Sequence, residues 1–355
     1  MNAMARLLSW LRANLFATPF DAVITVALAA LLWVILSGVI DFAITSASGL
    51  SASVEECRAQ GGACWSFVAA KFWQLMVGRY PEGEQWRCAV AFVLPLLGIA
   101  LAARFREAMG IVGALALIAL SLLAGFAVLD GSWLRLTPVP TERWGGLTLT
   151  LMIAMTGAIT ALPLGLVLAL ARRSNWPVPR VLAGIFIEFW RGVPLVTVLF
   201  MASIMLPLFL PQGVDLEKLT RALIAVSLFA SAYTAEVIRG GLQSIPSSQT
   251  EAAESLGFSH VQTLRHIIVP QALRNALPGL TGTYIGLLKD TTLVLVIGLF
   301  DFLGMVQAAI ADPEWAAPGT ALTGYVFAAA VFWMLCASVA RAGCALERRF
   351  PQRRV

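Results

Sequence analysis

From Glu251 to Pro270 the chain reads EAAESLGFSHVQTLRHIIVP, a short polar stretch set between long apolar ones. Ser248 stands three residues before Glu251, and Ser259 three before Gln262. Each pair has the spacing of a capping box, in which a hydroxyl accepts from the third helical N–H and the acidic or amide side chain reaches back. Gly257 lies between the pairs, where the chain can turn sharply with no Cβ to clash, and Pro270 is placed to close the second helix. The expectation is an L-shaped helical elbow over residues 247–270, projecting from a membrane. A helical loop with no further role would read the same way.

Composition sets the class. Hydrophobic residues make up 59% of the chain and charged residues 13%, with a mean hydropathy of +0.82. That balance belongs to an integral membrane protein. A span needs about 20 mostly apolar residues to cross about 30 Å of hydrocarbon. Eight stretches meet or approach this: Phe20–Ile44, Cys88–Ala103, Ile111–Leu129, Gly145–Ala171, Val181–Leu210, Leu219–Ile238, Leu280–Phe300 and Leu322–Cys344. The second is short and the fifth carries internal charges.

Basic residues divide between two sides. Arg6, Arg12, Arg104, Arg106, Arg172, Arg173, Arg180, Arg239, Arg265, Arg274 and the tail Arg348, Arg349, Arg353, Arg354 fall on one. Arg58, Lys71, Arg79 and Arg87 in the loop of residues 45–87, then Arg135, Arg143, Lys218 and Arg221, fall on the other, and the loop from Asp301 to Thr320 has no basic residue. The positive-inside rule puts both termini and the elbow in the cytoplasm. The net charge of +5 follows from this asymmetry and implies no nucleic-acid partner.

The apolar run from Ala22 to Ile40 exceeds the usual signal-peptide core of about 7–15 residues, so an uncleaved anchor is expected. Cys57 and Cys64 lie in the outward loop with Gly61 and Gly62 between them. An oxidising compartment would let them close a small disulfide loop, and the free state is equally compatible with the sequence. Cys88, Cys336 and Cys344 lie in or beside spans as small apolar fillers. The two histidines, His260 and His266, are both in the elbow, and no metal site is expected.

The elbow resembles the signature of permease subunits from ATP-binding-cassette (ABC) importers: Glu-Ala-Ala, a glycine, nine residues, then Ile-x-Leu-Pro. Glu251, Ala252, Ala253, Gly257, Ile267 and Pro270 fit it, with Val269 where leucine is usual. The resemblance implies a coupling helix that docks on a separate ATPase subunit. Further elements, in order, resemble the polar-amino-acid permeases of this family. They are Arg143-Trp144-Gly145-Gly146-Leu147, Glu188-Phe189-Trp190-Arg191-Gly192-Val193-Pro194, Tyr233 to Gly241, and Leu287-Leu288-Lys289-Asp290-Thr291-Thr292-Leu293. The resemblance runs from Arg143 to Glu347. It implies an all-α polytopic fold in which a five-helix permease core, residues 139–355, follows a three-span extension, residues 1–138, as in the larger broad-specificity L-amino-acid importers. It also implies the partners: a dimer of ABC ATPase subunits carrying the ATP and Mg, a second permease subunit (a related chain rather than an identical one), a periplasmic amino-acid-binding protein, and the lipid bilayer of the bacterial inner membrane. No cofactor is expected on this chain.

The sequence bears on three other functions. No G-x-x-x-x-G-K-[ST] phosphate loop occurs, so ATP must be hydrolysed elsewhere. An ion-coupled secondary transporter would show repeated halves with matching broken helices, and no repeat is seen. A membrane enzyme would need a clustered His, Cys or acidic constellation.

Ionisable groups inside spans are functional candidates by default. Lys289 and Asp290 lie about ten residues into the seventh stretch, about 15 Å deep, and an acid with a base there would suit an amino acid's two charges, with Thr291 and Thr292 adding hydroxyls. The other reading is that both only pair with charges on neighbouring helices. Glu188 and Arg191 are three apart and able to pair, as a clasp or as a gate hinge beside Gly192 and Pro194. Glu236 and Arg239 repeat that spacing as a brace for the elbow. Gly282 and Gly286 have small-xxx-small spacing, which favours close helix packing.

Overall fold

The computed structural model describes residues 3–211, 213 and 216–349; Arg353 and Arg354 of the basic tail lie outside them. Among the described residues there are helices and isolated bridges but no named strands. The α-helices are α1 Ala3–Asn14, α2 Pro19–Ile40, α3 Val54–Ala59, α4 Trp65–Val77, α5 Trp86–Arg104, α6 Arg106–Asp130, α7 Gly146–Arg173 and α8 Pro177–Gly192. They continue with α9 Leu195–Phe200, α10 Leu206–Phe209, α11 Lys218–Gln243, α12 Ser248–Ser255, α13 His260–Thr263, α14 Val269–Asp290, α15 Phe302–Ile310 and α16 Thr320–Arg349.

Among the described residues, seven helical segments are long and apolar enough to cross a membrane, and an eighth arises if a bent pair counts as one span. Six of the eight expected stretches coincide with one helical segment each. The stretch Val181–Leu210 does not: α8 and the helix of residues 195–209 meet at 102°. Val193 is extended at the break, and Pro194, with no N–H to donate, begins the next segment. The stretch expected at Leu280–Phe300 is part of a longer one. Residues 260–297 form a single helical segment of 38 residues, made of α13, a π turn at Leu264–Ile268, α14 and a 3-10 stretch at Thr291–Ile297.

The chain folds into two compact units, residues 1–71 with 310–327, and residues 72–309 with 328–355. In the first, α2 begins with a capping box between Thr18 and Asp21 and with Pro19 in its first turn, both helix-start devices. None of α2 is buried. The loop expected at residues 45–87 contains α3 and α4, and α3 has its own capping box, Ser53 with Glu56. Cys57 and Cys64 are bonded, S–S 2.04 Å, and buried. The closed loop is tied to the first turn of α16 and to the segment ahead of it. The Cys64 N–H donates to Thr323 Oγ1 at 2.9 Å, and Arg58 donates to the carbonyls of Ala316 and Glu314. Lys71 pairs with Asp312 at 2.5 Å, and its ammonium holds the Asp312 carboxyl below the usual range.

In the second unit α7 and α11 form the centre of the packing, with α14 laid along α11. The approach of α11 to α14 depends on Gly241, where a Cβ would lie 2.4 Å from the Ala272 carbonyl oxygen. Arg87, fully buried, pairs with Glu84 at 2.9 Å and donates to Thr137 O at 2.8 Å, anchoring the start of α5 to the loop before α7.

Closing a loop with a disulfide typically adds about 2–4 kcal/mol, less for short loops. The Cys57→Ser/Cys64→Ser variant is therefore expected to keep its spans and to expose residues 49–62 to protease. Limited proteolysis of membrane vesicles with mass spectrometry of the fragments checks this; an unchanged cleavage rate would mean that the hydrogen bonds alone hold the loop.

Candidate functional site

The elbow forms, and two of its expected details change. Helix α12 begins at Ser248, preceded by Ser247 in a helical conformation that makes no side-chain cap bond. Ser248 is already inside the first turn, so its hydroxyl cannot cap that turn and the Ser248–Glu251 box is absent. The Ser259–Gln262 box is present in both directions: the Ser259 N–H donates to Gln262 Oε1 at 2.8 Å and the Gln262 N–H to Ser259 Oγ at 3.4 Å. Between them Gly257 has φ +80°. Its N–H donates to Glu254 O at 2.9 Å, and the Phe258 N–H to Ala253 O at 3.1 Å. These two bonds are the Schellman pair that ends a helix on a left-handed residue.

Pro270 does not close the second helix. The π turn of residues 264–268 shifts the hydrogen-bond ladder just ahead of it, and Pro270 sits in the opening turn of α14, where a missing N–H is tolerated. The elbow therefore runs without a loop into the next span. Ala253 is buried, while Glu251, Ala252, Gly257 and Pro270 are exposed and Ile267 is half-buried. Leu256 and Val261 are 77% and 71% exposed, and Phe258 between them is exposed too, an apolar group at the tip of the elbow. Gln271 Nε2 donates to Ile267 O at 2.9 Å, and Asn275 Nδ2 to Ser244 Oγ at 2.8 Å, fastening the elbow's two ends to α14 and α11.

A cavity of about 520 Å³ opens at the α8–α9 break. Arg191, Val193 and Pro194 line it from the break, Phe229 and Tyr233 from α11, and Thr283, Gly286 and Asp290 from α14. Of the four polar residues expected together, only Asp290 reaches this cavity. Lys289 is exposed and lies outside the lining. Thr291 is buried and donates to Leu288 O, and Thr292 donates to Lys289 O, both at 2.8 Å. Among the described residues neither Lys289 nor Asp290 forms an ion pair. Gly286 lines the cavity, and a Cβ at Gly282 or Gly286 would meet nothing within 4 Å among the described residues, so no close helix approach there depends on either glycine.

The expected Glu188–Arg191 pair is not formed. Glu188, 70% exposed, pairs with Arg172 at 2.8 Å, and Arg191 pairs with Glu236 at 3.4 Å. Both residues lie within α8, ahead of the 102° break, and each finds its partner on a neighbouring helix instead. Glu236 is the hub. Arg239 Nε donates to both of its oxygens, at 3.0 and 3.1 Å, and Arg239 Nη2 to Oε2 at 2.7 Å. Arg172 Nη1 donates to Oε1 at 3.2 Å. Arg191 is also stacked over the Tyr233 ring, with its Cζ 5.6 Å from the centroid, a cation–π geometry. Arg172 was grouped in the sequence with the cytoplasmic charges; it stands directly after the apolar run Gly145–Ala171, in the last turn of α7, and nothing in its position marked its partners. Tyr233 and Thr283 were likewise unmarked.

Residues 161–351 match the family of binding-protein-dependent transport system inner membrane components. The chain belongs to that family: it is a multi-pass inner-membrane permease, not itself an ATPase, and the ion-coupled secondary transporter is set aside. It is 44% identical, over 98% of its length and 94% of the relative's, to the inner membrane amino-acid ABC transporter permease protein YhdY of Escherichia coli K12. It is 34% identical, over 97% and 94%, to the glutamate/glutamine/aspartate/asparagine transport system permease protein BztC of Rhodobacter capsulatus. Among solved structures, an amino acid ABC transporter crystallised with histidines matches with a TM-score of 0.51 and 30% identity, covering 57% of this chain and 92% of that one.

Because Gly257 is left-handed in open space, backbone strain alone sets the cost of replacing it. Gly257→Val is expected to lower stability by about 1–3 kcal/mol, and Gly257→Asn by less, since asparagine tolerates this region. Thermal unfolding of the detergent-purified chain reads the order Gly, Asn, Val; equal midpoints would show that the turn relaxes freely.

Proposed function

We propose that this permease carries amino acids inward, across a broad range of polar or general L-amino acids, with the cavity between α8, α11 and α14 as its substrate site. The substrate carboxylate meets Arg191 and its ammonium meets Asp290. The observation that carries this reading is the cavity wall itself: an arginine held at 3.4 Å by its carboxylate partner and an aspartate with no ion pair lining one space. A carboxyl placed in a span without a partner is costly, and an incoming ammonium would supply one. The substrates named for YhdY and BztC support the same class.

The elbow, through Glu251, Ala252, Ala253, Gly257, Ile267 and Pro270, is the docking element for a dimer of ABC ATPase subunits, which hold the ATP and Mg. Exposed Leu256 and Val261 suit a protein contact. A periplasmic binding protein delivers substrate from outside, and a second permease, a related chain rather than a copy, completes the pathway. Closure of the ATPase dimer draws the elbows together and opens the cavity outward; hydrolysis resets it. Both termini and the elbow are cytoplasmic. Functionally, residues 1–138 are an extension and residues 139–355 the permease core.

Two measurements test this. In Asp290→Asn complexes, uptake of a panel of acidic, neutral and basic amino acids should fall about tenfold or more, as expected from losing a charge-assisted contact of about 1.5–3 kcal/mol, while Lys289→Gln transports like the parent. A well-assembled Asp290→Asn complex with the parent's uptake profile would rule out recognition by this residue. For topology, a membrane-impermeant thiol reagent on intact cells should modify a cysteine placed at Gln60 and spare one placed at Gln262. Labelling at Gln262 would put the elbow on the wrong side for any ATPase.

A further inference from the structure

Glu236 shares its two oxygens among three guanidiniums, and they are not held equally. Arg239 makes three bonds of 2.7–3.1 Å, Arg172 one of 3.2 Å, and Arg191 only a 3.4 Å contact to the oxygen that Arg239 already occupies at 2.7 Å. Arg191 is also the one of the three that lines the cavity. The cluster as a whole, Arg172, Arg191 and Arg239 with Glu188 and Glu236, has three positive and two negative charges. A surplus cation in a span is costly, and it resides on the member facing the empty space.

We propose that Glu236 is a positioning residue that competes with the substrate's carboxylate for Arg191, so that filling the cavity is reported to the cytoplasmic end of α11. This rests on the reading that Arg191 receives that carboxylate. A ligand carboxylate presents two oxygens to a guanidinium in a bidentate fork, a better partner than one shared oxygen at 3.4 Å. When it binds, Arg191 leaves Glu236, the cluster's charge is balanced, and Glu236 stays with Arg239 and Arg172. The consequence reaches the elbow along two routes. Arg239 is on the last turn of α11 before Gly241 and Ser244, whose hydroxyl accepts from Asn275 of α14. Arg173, next to Arg172, donates to Leu242 O at 3.1 Å. Without substrate, Arg191 pulls Glu236 toward the break; with substrate, Glu236 belongs wholly to the cytoplasmic pair.

The test uses the permease–ATPase complex in lipid nanodiscs, with tritiated L-glutamine as the probe and its α-amide, which lacks the carboxylate, as the control. Glu236→Gln is expected to bind L-glutamine about tenfold more tightly, within the usual range of coupling between sites, to leave α-amide binding unchanged, and to lose the ATPase response to glutamine. Glu236→Asp, which keeps the charge and withdraws it by one methylene, should tighten binding in the same direction by a smaller factor, and it serves where Glu236→Gln does not assemble. Parental affinity in both variants, or equal gains for glutamine and its α-amide, would overturn the competition. Arg191→Gln separates the two readings. If it binds glutamine like the parent, the carboxylate assignment itself is wrong. If it loses binding while the Glu236 variants stay at the parental value, only the competition falls.

Discussion

A carboxylate that is 14% exposed and surrounded by three guanidiniums is the point on which the permease unit turns. Each arginine comes from a different stretch: Arg172 from the end of α7, Arg191 from the end of α8, Arg239 from Glu236's own helix. Hydrophobic packing alone does not orient helices in lipid, because the tails outside are as apolar as the side chains inside. Directional contacts must do it, and Glu236 gives one acceptor to three helices at once. The arginines are themselves 26–42% exposed, so each contact is modest alone, and it is their convergence on one carboxylate that ties α7 and α8 to α11.

One of the hub's three arginines, Arg191, stands where a helix ends. The chain cannot expose unpaired backbone groups to lipid, yet α8 stops at Gly192 and the next segment leaves at 102°. Pro194 removes a donor at the break, and the cavity there gives the remaining polar groups a place that is not hydrocarbon. Arg191 lies just ahead of that break, on the same helix as Glu188, and pairs across to α11 rather than with its own helix.

Span number, the elbow and the family were legible in the sequence because each rests on a local pattern: apolar length, capping spacing, and glycine at a helix end. The Ser259–Gln262 box and Gly257 show this directly. Ser248–Glu251 had the same spacing and failed, because Ser247 had already taken a helical conformation; spacing does not say which residue starts the turn. Pro270 misled in a similar way, since a proline ends a helix only if the ladder in front of it is regular, and the π turn at Leu264–Ile268 is not visible in residue types. Thr18–Asp21 and Ser53–Glu56 were readable by the same rule as the elbow. Charge pairing was the least legible. Arg172 and Glu236 are 64 positions apart, and only the packing of α7 on α11 joins them.

The uninterrupted segment from His260 to Ile297 has a mechanical meaning. At about 1.5 Å per residue its 38 residues make a rod of roughly 57 Å, with the elbow at one end and Asp290 near the other. A hinged loop between elbow and span would dissipate a push within a few flexible bonds. If the elbow is the ATPase contact proposed above, the continuous helix from His260 to Asp290 leaves no loop between that contact and the cavity wall. Two prolines lie along the way, Pro270 in the opening turn of α14 and Pro278 inside it, and each leaves the helix one backbone donor short.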